Sequence, residues 1–199
     1  MIAVVDYKAG NLTSVMKALR AAGADPTLTD DPAVVRRADK VILPGVGHFA
    51  ATRFLEERGL KAAIEERIVA GVPFLGICVG LQWLFSGSTE APECAGLGAF
   101  PENCEKFAPG KKVPHVGWNS LAIRPGSRLL ADVPDGSFVY FTHSWRAPVI
   151  SATVAVTEYG EPFTAAVERG NVMGVQFHPE KSGEAGLRLL KNFLELSGC

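Results

Sequence analysis

The sequence has no apolar run long enough to cross a membrane. No uninterrupted apolar segment of the chain approaches the roughly 18 residues that a transmembrane helix requires. The opening segment, MIAVVDYKAG, carries Asp6 where a secretion signal would continue its apolar core. We therefore expect a cytoplasmic protein without a membrane partner.

The sequence also lacks an excess of either charge. Its 20 basic residues nearly balance its 21 acidic residues, which gives no electrostatic reason to expect nucleic acid as a partner. The four cysteines are Cys78, Cys94, Cys104 and Cys199. They form no CxxC pair and have no histidine-rich ligand spacing, so neither a zinc site nor a disulfide framework is indicated. We expect no metal, no cofactor, and one reactive thiol among inert ones.

The chain has neither an internal repeat nor a linker long enough to separate two domains. Hydrophobic residues form 47% of the chain and charged residues 21%, which is typical of a globular domain. A chain of this length buries roughly 70% of the surface that its unfolded form exposes. We therefore expect residues 1–199 to form a single domain.

Strand-like and helical segments alternate in the first half of the chain. IAVVDY precedes NLTSVMKALRAA, whose apolar residues recur at helical spacing, and the buried strand KVILPG ends in a glycine loop. After Gly87 the strands become shorter, and Gly170–Asn171 is a hairpin signal. The pattern predicts an α/β fold: an open mixed, mostly parallel sheet flanked by helices, with antiparallel additions in the second half.

The segment GICVG places Cys78 between glycines where a strand gives way to a helix. Such a turn forces its central residue into a tight backbone conformation, and small flanking residues let neighbouring backbone pass close by. Cys78 is therefore a candidate nucleophile, because the positive end of the helix favours a thiolate. The backbone N–H of Val79 is a candidate donor to a developing oxyanion. The alternative is that Cys78 is only a small buried residue.

The segment VQFHPEKS supplies candidate partners for this thiol. Alternate residues of an extended segment face the same way, so His178 and Glu180 would lie side by side, and Pro179 favours extended backbone at His178. The carboxylate can then fix the imidazole tautomer while the imidazole deprotonates the thiol. An exposed polar pair at a strand end is the usual alternative. The cysteine turn upstream makes the catalytic interpretation the better one.

The loop LPGVGHF is the candidate for a second oxyanion donor. Open α/β folds bind ligands at the carboxyl edge of their sheet, where this loop is expected. Gly45 and Gly47, with Val46 between them, let backbone N–H groups approach a substrate carbonyl without obstruction. The alternative is a simple turn. His48 is a weaker candidate base, because a single loop histidine is usually only solvated.

GICVG, PGVG and HPE together resemble the class I, or triad-type, glutamine amidotransferases, over essentially the whole chain. DYKAGNL, PGVGHF, HVGWN and HPEKS are more specifically similar to the glutaminase subunits of imidazole glycerol phosphate synthases, which act in histidine biosynthesis. Lys8 departs from that family, which usually has glycine there, and Val79 and Leu81 are apolar variants around the cysteine. None of these departures touches the triad.

The resemblance implies a Cys-His-Glu triad that hydrolyses glutamine. Cys78 would attack the side-chain amide, His178 would act as general base and then acid, and Glu180 would orient the imidazole. The Val79 N–H and the Gly45–Val46–Gly47 loop would hold the oxyanion. Ammonia would leave, and water would hydrolyse the glutamyl thioester to glutamate.

The resemblance also implies how glutamine is held and where its ammonia goes. The amino-acid head of glutamine would be bound by Gln82, His143 and Ser144. Ammonia in water would mostly become ammonium, so it would pass through a tunnel to a (β/α)8-barrel cyclase subunit that makes imidazole glycerol phosphate. The interface of this heterodimer would include Asn11, Trp118 and Lys181. Without the resemblance, Asn11 is a helix N-cap and Lys181 a solvated charge.

Three alternatives remain open from the sequence. The chain could be the glutaminase of another pathway, such as anthranilate or pyridoxal phosphate synthesis. It could be a cysteine hydrolase or peptidase on the same type of turn, although Gln82 and the interface-like segments favour an amidotransferase. It could also be a regulatory binding module, although an intact Cys78, His178 and Glu180 set disfavours that.

Overall fold

The computed structural model describes residues 1–9 and 11–198, and its elements follow the predicted alternation. The strands are β1 (Ile2–Val5), β2 (Pro26–Thr29), β3 (Lys40–Gly45), β4 (Phe74–Cys78), β5 (Phe85–Ser88), β6 (Phe100–Lys106), β7 (His115–Ser120), β8 (Ala122–Ile123), β9 (Phe138–His143), β10 (Trp145–Arg146), β11 (Thr153–Glu158), β12 (Pro162–Arg169) and β13 (Val172–Val175). The α-helices are α1 (Leu12–Ala21), α2 (Pro32–Val35), α3 (Arg53–Glu57), α4 (Leu60–Val69), α5 (Val79–Trp83) and α6 (Gly183–Glu195). The 3₁₀ turns are Phe49–Thr52 and Pro179–Lys181.

The largest sheet of the described chain has the strand order β2-β1-β3-β4-β13-β12-β11-β8. β1 pairs in parallel with β2 and β3, and β4 pairs in parallel with β3 and β13. The remaining strands, β12, β11 and β8, add antiparallel, and the Gly170–Asn171 turn joins β12 to β13. The predicted mixed, mostly parallel sheet with antiparallel additions is confirmed.

The other strands form two smaller sheets. β10, β6 and β5 form one, and β7 pairs antiparallel with β9 to form the other. β5 and β6 pair in parallel, whereas the sequence predicted antiparallel additions in this region. The connection through residues 89–99 is long enough to return the chain to the same end of the sheet, which a parallel pair requires.

The helices bury the apolar faces that their sequences predict. In α1 the buried residues are Val15, Met16 and Leu19. Asp31 caps α2, since its side chain accepts a hydrogen bond from the Ala33 N–H at 2.8 Å. None of the helices within residues 1–9 and 11–198 is long and apolar enough to cross a membrane.

The glycines of GICVG let the cysteine turn lie directly against the neighbouring strand. A Cβ atom on Gly80 would lie 2.0 Å from the Leu43 carbonyl oxygen of β3. A Cβ atom on Gly76 would lie 2.3 Å from the Gly80 carbonyl oxygen. Both clashes are with backbone atoms, which cannot turn aside as the end of a side chain can. The two glycines therefore set the close approach of β3, β4 and α5.

Lys8 occupies a backbone conformation that favours glycine. Its φ is 65°, in the left-handed region that costs a residue with a Cβ about 1 kcal/mol. The Lys8 N–H donates to Asp6 Oδ1 at 2.8 Å, and its ammonium lies 3.5 Å from the Asp30 carboxylate. This conformation accounts for the glycine that the resembling family usually has here.

We predict that Gly80→Ala lowers the free energy of unfolding by about 3 kcal/mol or more, because the added methyl group would displace backbone at Leu43. Urea unfolding followed by circular dichroism measures the change. Gly198→Ala is the control, since its added Cβ would come no nearer than 3.3 Å to another atom. The control should change stability by less than about 0.5 kcal/mol. Equal effects of the two substitutions would contradict the prediction.

Candidate active site

Cys78 ends β4 and begins the turn into α5 with a strained backbone. Its φ is 55°, a value that residues other than glycine rarely adopt. Strain of this kind persists only where the surrounding structure enforces it, and it is concentrated at functional sites. The residue is 3% exposed and lines a cavity. The predicted tight turn is therefore present, with the thiol held at the edge of the sheet.

The side chain of Gln176 and the backbone carbonyl group of Thr142 both contact the Cys78 sulfur. Gln176 Nε2 donates to Sγ at 3.6 Å, and Sγ lies 4.0 Å from the Thr142 carbonyl oxygen. A donor stabilises a thiolate, whereas a carbonyl oxygen can accept only from the protonated thiol. The sulfur therefore has a partner in either protonation state.

His178 and Glu180 form a buried hydrogen-bonded pair. His178 Nδ1 lies 2.8 Å from Glu180 Oε1, and the two side chains are 1% and 2% exposed. The sequence predicted extended backbone through both residues, but β13 ends at Val175 and Glu180 lies in the 3₁₀ turn that Pro179 begins. Proline favours the first position of such a turn because its φ is already suitable. Only His178, with φ −98° and ψ 98°, is extended as predicted.

The backbone of His178 is fixed to β9 by three hydrogen bonds. The His178 N–H donates to the Tyr140 carbonyl oxygen at 2.9 Å. Ser182 Oγ donates to the His178 carbonyl oxygen at 2.6 Å and accepts from the Tyr140 N–H at 3.0 Å. These bonds hold the imidazole in place independently of its own side-chain contacts.

The surroundings of His178 favour its protonated form. Burial disfavours the imidazolium, but interactions with Cys78 and then with Glu180 outweigh burial and raise the pKa of His178 to about 10. His178 Nε2 is buried and makes no hydrogen bond of regular geometry with the described residues. Catalytic hydrogen bonds are often loose before substrate binds. The raised pKa of His178 keeps its imidazole protonated at neutral pH.

The second candidate oxyanion element lies beside Cys78. Gly45, the last residue of β3, is the register partner of Cys78 in the parallel β3–β4 pair. Gly47 has φ 93° and lines the same cavity as Cys78 and Val79, with Val46 between the two glycines. The structure therefore brings the backbone of both predicted oxyanion elements to the thiol.

A buried tyrosine hydroxyl, which no sequence pattern singled out, lies behind this element. Tyr7 is 1% exposed, and its hydroxyl has no hydrogen-bond partner within the described residues. Burial, and then the charge of Cys78, raise the pKa of Tyr7 well above its ordinary value. A Cβ atom on Gly45 would lie 2.1 Å from this hydroxyl. Tyr7 therefore requires glycine at position 45.

The cavity beside Cys78 has a volume of about 200 Å³. Its lining contains six residues predicted from the sequence: Gly47, Cys78, Val79, Gln82, His143 and Ser144. It also contains four that were not predicted: Glu90, Pro114, Thr142 and Trp145. The structure thus brings the candidate nucleophile, oxyanion donors and substrate-binding residues to one cavity.

Gln82 connects the wall of this cavity to the thiol. Its Nε2 donates to the Trp145 carbonyl oxygen at 2.9 Å and to Gln176 Oε1 at 3.1 Å, while Gln176 Nε2 donates to Cys78 Sγ. Both hydrogens of the Gln82 amide are therefore used within the protein. Gln176 lies just before the His-Pro-Glu run in the sequence, but no sequence pattern indicated that its side chain contacts the sulfur.

Glu90 is the one carboxylate in the cavity lining of the described chain. Its Oε2 accepts a hydrogen bond from the Phe49 N–H at 2.8 Å. This bond ties the carboxylate to the 3₁₀ turn after the glycine loop. No spacing pattern in STEAPECAG distinguishes Glu90 from a surface acid, so the sequence did not reveal it. His48, the weaker candidate base, instead uses Nδ1 to accept from the Ala50 N–H at 3.1 Å.

The β7–β9 pair presents an exposed apolar face. Val116, Trp118 and Phe138 are 56%, 55% and 62% exposed. The Trp118 ring meets Tyr140 edge-on with centroids 6.2 Å apart, and the Lys181 ammonium lies 5.5 Å from the centre of the Tyr140 ring. The structure therefore brings together Trp118 and Lys181, two of the three predicted interface residues. We call these five residues the β7–β9 face.

Asn11 is exposed at the N-cap position of α1, but its side chain makes no capping hydrogen bond. The structure therefore confirms the N-cap position that the alternative predicted, but without the side-chain hydrogen bond that usually goes with it. α1 packs against the 3₁₀ turn that contains Lys181. Asn11 thus begins a helix that adjoins the β7–β9 face.

The other described cysteines lie outside the cavity lining. Cys94 and Cys104 are buried and free, and burial raises the pKa of the Cys104 thiol well above its ordinary value. Cys94 contacts the Arg53 guanidinium at 3.5 Å. Cys199 lies outside the described residues.

Comparison with known families identifies the class of this protein. The family model for glutamine amidotransferase class-I matches residues 3–196. The chain therefore belongs to the class I glutamine amidotransferase family, as its motifs indicated. 

Curated relatives show which members of this family the chain resembles. The chain is 48% identical over 197 residues to the imidazole glycerol phosphate synthase subunit HisH of Methanothermobacter thermautotrophicus, covering 98% of each chain. It is 49% identical over 202 residues to the protein of the same name from Moorella thermoacetica, covering 98% of this chain and 94% of that one.

Solved structures support the fold. The chain matches a crystal structure of a glutamine amidotransferase with a TM-score of 0.77 and 21% identity, covering 98% of both chains. It matches the structure of PurLQS from Thermotoga maritima with a TM-score of 0.76 and 19% identity, covering 97% of this chain and 96% of that one.

We predict that Gln176→Met slows alkylation of Cys78 by iodoacetamide about tenfold at neutral pH, because the thiolate loses a donor while the side-chain length is kept. Mass spectrometry of the modified peptide measures the rate. Thr157→Val is the control, since it removes a hydrogen bond of another buried side chain, from Thr157 Oγ1 to the Ser120 carbonyl oxygen at 2.9 Å. An unchanged rate in Gln176→Met would show that the amide does not stabilise the thiolate.

We predict that Glu180→Gln makes stability less dependent on pH between 6.5 and about 10. The raised pKa of His178 stabilises the fold fully below pH 6.5, and this contribution is lost as the pH rises through about 10. Removing the carboxylate charge lowers that pKa. Each pKa unit lost removes about 1.4 kcal/mol of the stability that the protonated histidine contributes. The free energy of unfolding of the wild type, measured with urea, should therefore exceed that of Glu180→Gln by more at pH 6.5 than at pH 10. A stability difference between the wild type and Glu180→Gln that grows with pH would contradict the role given to Glu180 in raising the pKa of His178.

Proposed function

We propose that this chain, as a single domain, is the glutaminase subunit of an imidazole glycerol phosphate synthase. The observation that carries the proposal is the strained Cys78, which lines a cavity and interacts with His178 of the buried His178–Glu180 pair. The full-length similarity to relatives named as the HisH subunit of that synthase supports this pathway over the anthranilate and pyridoxal phosphate alternatives.

The proposed reaction uses the thiolate–imidazolium pair. Cys78 Sγ bonds to the side-chain carbonyl carbon of glutamine, and the oxyanion is held by backbone N–H groups of Val79 and of residues 45–47. His178 gives its proton to the amide nitrogen as the C–N bond breaks, and ammonia leaves. Water, losing a proton to His178, then attacks the thioester, so that the C–S bond breaks and glutamate is released.

Glutamine's head group carries one positive and one negative charge, and the cavity offers a partner for each. Glu90 is suited to the α-ammonium group. The Gln82 amide uses both of its hydrogens in bonds within the protein, which fix its orientation. Its carbonyl oxygen can then also accept a hydrogen bond from the ammonium group. The α-carboxylate is then left to donors of the His143–Ser144 segment.

The β7–β9 face is the proposed site of the cyclase subunit, a (β/α)8 barrel in the resembling family. An exposed tryptophan among other apolar side chains is typical of an interface anchor. Lys181 directly follows Glu180, so this face adjoins the proposed source of ammonia, and Asn11 begins the adjacent helix. Ammonia passed directly to a partner avoids protonation in water.

We predict that Cys78→Ala, in the complex with the cyclase subunit, abolishes glutamine-dependent synthesis by at least about a thousandfold. Synthesis from added ammonium salt at high pH should stay within about twofold, since the cyclase site is untouched. Absorbance of the ribotide product measures both activities. Cys94→Ala, which removes a thiol outside the cavity, should retain both.

Two outcomes would contradict the proposed function. Loss of both activities in Cys78→Ala would show that the cysteine does not serve ammonia production alone. Ester or peptide turnover by the wild type, without glutamate release, would favour the cysteine hydrolase alternative.

A further inference from the structure

Two buried histidines form a cross-strand pair between β7 and β9. His115 and His143 are register partners and are 4% and 6% exposed. His115 Nδ1 lies 3.2 Å from His143 Nε2. His143 Nδ1 lies 2.9 Å from the Trp145 carbonyl oxygen, and His115 Nε2 lies 3.4 Å from Asn119 Nδ2. Four groups therefore form one continuous chain of hydrogen bonds.

The direction of this chain is fixed by its ends. The Trp145 carbonyl oxygen can only accept, so His143 carries its hydrogen on Nδ1 and must accept at Nε2 when neutral. His115 must then donate from Nδ1 and accept at Nε2, which matches the amide donor of Asn119. The second Asn119 amide hydrogen is used by the Glu158 carbonyl oxygen at 3.0 Å. Every donor has an acceptor only if both rings have the Nδ1–H tautomer.

The surroundings keep both rings uncharged. His115 stacks on Tyr159 and Phe141, with ring centroids 4.1 and 5.0 Å apart, and Phe107 contacts both histidines. Burial lowers the pKa of His115 to about 4 and that of His143 to about 3. At neutral pH the chain therefore consists of neutral groups, as its direction requires.

The chain of hydrogen bonds ends at the carbonyl oxygen of Trp145, a residue that lines the cavity. The Trp145 carbonyl oxygen accepts both from His143 Nδ1 and from Gln82 Nε2, each at 2.9 Å. Trp145 and Gln82 line the cavity with Ser144. The position of this carbonyl group therefore links His143 to the residues proposed to hold the head of glutamine.

We propose that His115, which does not line the cavity, is a positioning residue for glutamine: its N–H fixes the His143 ring, which holds the Trp145 carbonyl group and with it Gln82. The proposal rests on the proposed function, since the positioned ligand is glutamine. Without this N–H, His143 Nε2 would be a buried acceptor without a donor, and the ring would turn to find one. Cys78, His178 and Glu180 keep their own contacts, so substrate binding is affected more than the chemical step.

The test compares His115→Leu with His115→Asn in the complex with the cyclase subunit. Leucine removes the donor, whereas the amide of asparagine can stand near the place of Nδ1 and donate to His143. We expect His115→Leu to raise KM for glutamine about tenfold and to change kcat less than about threefold. His115→Asn should keep KM within about threefold of the wild type.

Phe107→Leu is the matched control, because it disturbs the same aromatic cluster without removing a hydrogen bond of the chain. It should leave KM within about twofold of the wild type. Ammonia-dependent synthesis should be unchanged in all three variants. An effect of Phe107→Leu equal to that of His115→Leu would reduce His115 to a packing residue and overturn the proposal.

The tautomers provide a test that is independent of activity. Long-range ¹H–¹⁵N NMR correlations of the wild type should show His115 and His143 protonated at Nδ1, as the direction of the hydrogen-bond chain requires. An Nε2–H tautomer at His143, or an unchanged KM in His115→Leu, would overturn the proposal. If the wild-type complex released no glutamate, the proposed function would fail, and the tautomers would still decide whether the chain of hydrogen bonds exists.

Discussion

The close contact between Gly80 and the Leu43 carbonyl group is the constraint on which the candidate site depends. Because α5 begins within contact of β3, the chain must turn sharply after β4, and Cys78 takes a positive φ as a result. The same closeness makes Gly45 the neighbour of Cys78, so the proposed nucleophile and the proposed oxyanion loop meet through sheet register alone. Side-chain chemistry is then added to a geometry that backbone packing has already set.

Hydrogen bonds carry this geometry from the turn to the opposite side of the cavity. From the sulfur, Gln176 and Gln82 lead to the Trp145 carbonyl group, and His143 and His115 lead away from it. The Trp145 carbonyl group therefore belongs to two networks, one ending at the thiol and one ending on β7. A buried network is most rigid when every polar group in it is hydrogen-bonded. Removing one group destabilises the fold because its partner is left buried and unpaired. The Trp145 carbonyl group is therefore the shared acceptor that holds both Gln82 and His143 in place.

The sequence revealed those parts of the site that short segments determine. GICVG and HPE specify local backbone conformation, so Cys78, His178 and Glu180 could be found from spacing, even though the turn at Pro179 differs from the predicted extended run. Gln176, Glu90 and the histidine pair act through partners far away in the chain, which no local pattern encodes. The parallel β5–β6 pair escaped prediction for the same reason, since strand direction there depends on the path of a long connection.

β7 has two faces, and each belongs to a different part of the proposed mechanism. Because side chains alternate along a strand, His115 and Asn119 point inward to the hydrogen-bond chain while Val116 and Trp118 point outward to the exposed face. A strand of six residues cannot shift on one face without shifting on the other. In the proposed complex, a contact of the cyclase subunit with Trp118 would therefore act on the same backbone that carries His115. Strand β7 and the two imidazole rings thus connect the proposed partner surface to the Trp145 carbonyl group.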